Sequence, residues 1–177
     1  MTCYQLVCTY SHPEGYVDIV NYDSVFGGMK STARSSGKPA RPIGVAQRGY
    51  ALDVLRGLDY VQTVPGIHPM FSSRAVECLG EELLRDVDVV PVELEVSGVS
   101  LDFALAIVKS RRALVDDYSS EFMTLAGVRI IKNAKFNVAI DEDFMIARDV
   151  THVHVLVSDV FREVSVRCGL SIGFSPI

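Results

Sequence analysis

His152 and His154 come nearest to a pair of residues placed for chemistry. One residue separates them. On a strand both imidazoles would share a face, with Val153 and Val155 on the other. Two imidazoles on one face can ligate a metal ion, given a third ligand such as His68 or a carboxylate. The reading that follows is a metal-dependent hydrolase; the plainer one is a solvated strand face.

The carboxylates form two groups. Asp141-Glu142-Asp143 is a tight triplet between Ile140 and Phe144, and Asp116-Asp117 precedes Tyr118-Ser119-Ser120-Glu121. Paired carboxylates serve glycosidases or hold metal ions, but chain neighbours rarely converge on one point. A solvated turn, or an acidic patch that receives a basic partner, suits them better. The chain has no G-x-S-x-G, H-E-x-x-H, kinase or dinucleotide pattern,. No residue is therefore assigned to catalysis, to a metal or to a cofactor, and the favoured class is a binding protein rather than an enzyme. Cys3, Cys8, Cys78 and Cys168 form no C-x-x-C pair. Cys78 and Cys168 read as buried free thiols on helix patterns, and Cys3 and Cys8 have opposite strand parity.

Charge is unevenly placed. Residues 1–50 hold three acids and five bases, hence +2. Residues 51–177 hold nineteen acids and twelve bases, hence −7, which gives the net −5. An acidic body argues against duplex nucleic acid and suits a basic protein partner. The bases of the first part cluster in a Gly/Pro/Ser-rich stretch, 27–42, with Lys30, Arg34, Lys38 and Arg41. It reads as a surface loop. Together with the residues up to 48 it offers a nucleic-acid-binding alternative. It is not a phosphate-binding P-loop, because Pro39 follows Gly37-Lys38 and Thr32 stands where the first glycine belongs. No apolar run is long enough to span a bilayer and no leader pattern opens the chain, so a cytoplasmic protein is expected.

The elements needed to position these residues are short. At 177 residues one domain is expected. Strands are expected at 4–10, 16–20, 92–96, 103–108, 129–132, 144–147 and 153–157, a helix over 45–56 ended by Gly57, and irregular chain over 60–67. Phe103–Val108 is apolar at both parities, as in a strand covered on both sides. An internal echo at an offset of 85 relates Ser73–Val92 to Ser158–Ile177. Each copy has a Ser cap, an apolar helical stripe (Ala75, Val76, Leu79, Leu83; Val160, Phe161, Val164, Cys168), an alternating strand and a proline, Pro91 or Pro176,. The predicted fold is α+β, a mixed or antiparallel sheet with short helices.

Several ordered patterns lie within residues 68–177. They are Phe71-Ser72-Ser73, Pro91-Val92 opening a hairpin, Phe103–Val108, Val115-Asp116-Asp117-Tyr118-Ser119-Ser120-Glu121, Leu156-Val157-Ser158-Asp159, Gly169-Leu170 and Phe174-Ser175-Pro176. In this order they resemble family eleven of the immunity proteins of bacterial polymorphic toxin systems. The resemblance implies stoichiometric inhibition of a toxin domain encoded alongside, often a nuclease, including the HNH-like class. It implies structural roles for Ser73, Ser158, Pro91 and Pro176, and an acidic position at Asp116 or Asp117. The candidate toxin contacts are Asp141, Glu142 and Asp143, then Asp116 and Asp117. The first third of the chain is not matched.

Overall fold

The structure, a computed structural model, describes residues 2–10, 15–22, 41–47, 50–64, 68–137 and 143–177. In chain order these form β1 (Tyr4–Val7), β2 (Val17–Ile19), β3 (Ile43–Ala46), α1 (Leu52–Arg56), β4 (Tyr60–Val61), β5 (Thr63–Val64), β6 (Met70–Ser72), α2 (Ser73–Asp86), β7 (Val87–Val96) and β8 (Val99–Val108). Then come β9 (Arg111–Arg112), β10 (Glu121–Leu125), β11 (Val128–Asn133), β12 (Ile146–Asp149), β13 (Val155–Val157), α3 (Asp159–Arg167) and β14 (Gly173–Pro176). The fold is α+β with mixed sheets. One sheet has the order β4-β6-β8-β7-β3-β2-β5, a second β14-β1-β13-β12-β9, and β10-β11 stands as a separate hairpin.

The internal echo is a topological one. β6 and β7 both pair antiparallel with β8, and α2 connects them. β13 and β14 both pair antiparallel with β1, and α3 connects them. Each unit is thus two parallel strands joined by a helix, with a third strand inserted between them. The third strand follows the first unit directly, but comes from the N-terminal end of the chain for the second.

The caps correct the register of that echo. Ser158 caps α3 by accepting from the Phe161 N–H. Ser72, not Ser73, caps α2, accepting from Ala75 N–H at 3.1 Å. Aligning caps changes the offset from 85 to 86, and the buried positions then coincide: Ala75 with Phe161, and Leu79 with Ser165. The helical stripe runs through these residues, with Val164 packed beside them, rather than through the exposed Val160. Cys78 and Cys168 are half-buried, not buried, and their thiols face one another between α2 and α3.

Other expectations shift for local reasons. Residues 43–46 form β3 instead of starting a helix, because Ile43, Gly44 and Val45 pair with Glu93, Leu94 and Glu95 of β7. The helix is confined to α1, with Gly57 at its end as expected. Residues 60–64 are not irregular but supply β4 and β5. Pro91 does not end an element; it lies inside β7 opposite Ala104. It is tolerated there because β3 reaches only Glu93–Glu95, so the missing N–H falls where β7 has no second neighbour among the described residues,.

β8 is covered on both sides, as its sequence predicts. Phe103 and Leu105 enter a core with Leu55, Met70, Val92 and Leu94. Ala106 and Val108 enter a second core with Phe71, Leu79, Leu83, Ile146, Val157 and Phe161, where both large sheets and helices α2 and α3 meet. Beyond Pro91 the same sheet face turns polar. Glu93 lies opposite Asp102, with Glu95 two residues on, all exposed.

Candidate functional site

Three buried aspartates, none singled out by the sequence, hold this frame together. Asp149 is 2% exposed. Its Oδ2 accepts from the N–H groups of Leu114 and Val115, and its Oδ1 from those of Thr151 and His152, all at 2.7–2.9 Å. Burial pushes its pKa up, but the four backbone donors outweigh this and hold the carboxyl below the usual range,. Asp59 accepts from the Ser72 hydroxyl at 2.6 Å and the Ser171 N–H at 2.8 Å. Asp86 accepts from Met145 N–H at 2.6 Å. The first braces one sheet edge, the second joins the two helical units, and the third joins α2 to β12. Arg74, on α2, donates to the carbonyls of Cys168 and Gly169 at the end of α3.

The histidine pair is not on a strand. Residues 151–153 form a bend that Asp149 caps, and β13 begins only at Val155. His152 and His154 therefore take different partners. Asp117 Oδ1 accepts from His152 Nε2 at 2.7 Å. His154 meets Phe136 edge to face at 5.7 Å, and burial, then the neighbouring His152, lowers its pKa. Among the described residues no group of three or more His, Cys, Asp or Glu could hold a metal ion.

His154 lines a cleft of about 280 Å³ between the two large sheets, with Gln5, Gln62, Thr63 and His68 as its other polar walls. Burial, then the charges of Arg148 and Arg111, pull the pKa of His68 down to about 4. Two imidazoles in this cleft are thus held towards the neutral form. Among the described residues no carboxylate or thiol lines it. Its polar walls suit binding a polar group.

The acidic candidates have separate anchors. Asp116 turns inward over its own loop: Oδ1 accepts from the Tyr118 and Ser119 N–H groups, and Oδ2 from the Ser119 hydroxyl at 2.6 Å. The Ser119 hydroxyl, then the backbone donors, hold its pKa down. Asp117 is exposed and occupied by His152. Asp143 is exposed, 3.5 Å from Arg85. Asp141 and Glu142 lie outside the described residues, as does most of the basic stretch 27–42. Of that stretch, Arg41 is described, paired with Glu93 at 2.9 Å.

An exposed apolar face lies close to Asp117. The β10–β11 hairpin pairs Met123 with Ile130 and Leu125 with Val128, so these four side chains share one face,. All four are exposed, Leu125 and Val128 by about 60%. The opposite face carries Phe122, with the Arg129 guanidinium 3.6 Å from its ring and His152 beside it at 6.1 Å. The tight turn at Ala126-Gly127 has φ of 49° and 80°, the left-handed pair that a two-residue hairpin requires. At the foot of the hairpin Tyr118 is fully exposed.

No protein-family model matches the chain, and no curated protein matches it. No helix among the described residues is long and apolar enough to cross a membrane.

Proposed function

We propose that this protein is an immunity protein. It binds a cognate bacterial toxin domain, of nuclease type and basic charge, and inhibits it stoichiometrically in the cytoplasm. The carrying observation is the β10–β11 hairpin, which presents four large apolar side chains to solvent on one face. Isolated exposed apolar residues are ordinary, but a contiguous apolar face is a mark of docking. A two-stranded hairpin also gains little stability by itself, so an unburied one fits a role outside the fold's own core. Tyr118 stands beside it as the kind of aromatic anchor that dominates interfaces. The acidic sheet face of Glu93, Glu95 and Asp102 suits steering of a basic partner,. The ordered patterns of residues 68–177 favour the same reading.

The test is co-expression with the C-terminal domain of the protein encoded next door, scored for survival and for a one-to-one complex on a sizing column. Rescue with a complex is the expected result. Rescue without one would point to an enzyme that reverses the damage. With toxicity and expression verified, neither rescue nor complex would refute the proposal for that pair.

A further inference from the structure

We propose that a phosphate-class oxyanion binds between Arg111 and Arg148, beside the cleft that His68 lines. In β9 and β12 the two arginines are direct Cα partners. Arg148 is in turn opposite Val155, and the register Tyr4↔Val157 places Val155 opposite Leu6. Arg111, Arg148, Val155 and Leu6 thus form one row across four strands. Its last two members line the cleft, as does His68. Like charges directly opposite on neighbouring strands repel. Here no carboxylate among the described residues lies within ion-pair distance of either guanidinium. Asp149 is adjacent in sequence, but its two oxygens are occupied by four backbone N–H groups.

A second feature points the same way. Arg148 is half-buried, and its Nε is shielded from solvent with no hydrogen-bond partner. A buried donor on a cation is costly to leave unmet. A tetrahedral oxyanion offers several acceptors at once, and guanidinium forks match that geometry. Both arginines also pull the His68 pKa down, after burial, so their charges reach the cleft. Free phosphate and a phosphate monoester share this chemistry.

Inorganic phosphate titrated into the full chain at constant ionic strength, with chloride as the comparison salt, tests the site. The expected result is saturable one-to-one binding, read from His68 ring resonances and from a rising thermal midpoint. Arg148→Gln and Arg111→Gln should each weaken it roughly tenfold or more, as expected for removing a charge-assisted hydrogen bond. Arg111 is exposed, so that variant carries the test should Arg148→Gln fail to fold. Phenyl phosphate separates the sources: tighter binding than phosphate assigns the site to an ester, equal or weaker binding to the free ion. A response equalled by chloride, or one unchanged in Arg111→Gln, would overturn the proposal. So would no saturable response to either phosphate.

Discussion

Asp117 and His152 meet at 2.7 Å, and this contact ties the foot of the exposed hairpin to the bend that leads into β13. His152 is held in turn by its own backbone N–H on Asp149. Asp117→Asn or His152→Ala should therefore loosen the hairpin more than the fold. Hydrogen exchange should quicken across 121–133, while global stability falls by no more than about 1 kcal/mol, the scale of an exposed ion pair. Unchanged exchange there would mean that the hairpin is held by its own cross-strand pairs alone.

Asp149 should behave as a structural keystone. Asp149→Ala strands four backbone donors and should cost at least about 3 kcal/mol in urea unfolding. A loss under about 1 kcal/mol would mean that water replaces the carboxylate. Its folded pKa lies below the unfolded one. Its contribution is therefore complete above the unfolded aspartate value of about 3.9. That contribution fades as pH falls through the lower folded value. Asp149→Asn should flatten this acid limb of the stability curve.

The cap assignment separates two adjacent serines. Ser72→Ala removes the cap of α2 and the donor to Asp59, and should cost about 1 to 2 kcal/mol. Ser73→Ala should stay within about 0.5 kcal/mol, as at an ordinary surface position. Thermal unfolding of the pair decides, and the reverse ranking would return the cap to Ser73.

Leu125→Ser with Val128→Ser should leave the isolated protein nearly as stable, because both side chains already face solvent,. Toxin binding should weaken mainly through faster dissociation. Charge reversal at 141–143 should instead slow association and reduce its salt dependence. Surface plasmon resonance with the toxin domain measures both; unaltered kinetics would remove the respective surface from the interface.

Much of the fold was legible because it rests on local pattern. Apolar residues at both parities marked β8, and Ser158 marked the start of α3. The echo was legible too, though not its register: Ser72 and Ser73 are equally good caps by type, and only a long-range bond from Ser72 to Asp59 distinguishes them. Val45 looked helical because its pairing with β7 is nonlocal. Asp59, Asp86 and Asp149 gave no signal for the same reason, since their donors lie up to 112 residues away. Of the hairpin, the strand expected at 129–132 falls within β11, but β10 shows no wet and dry alternation because neither of its faces is deeply buried.

Strand β1 lies between two strands that are far from it in the sequence. It has no partner until β13 and β14 arrive, and the Ile177 N–H bonded to the Cys3 carbonyl closes the same seam. During synthesis β1 must wait, unpaired on both edges, until β13 and β14 have emerged. The sheet around it closes late, and until then this half of the molecule is the one most open to chaperones and to proteolysis.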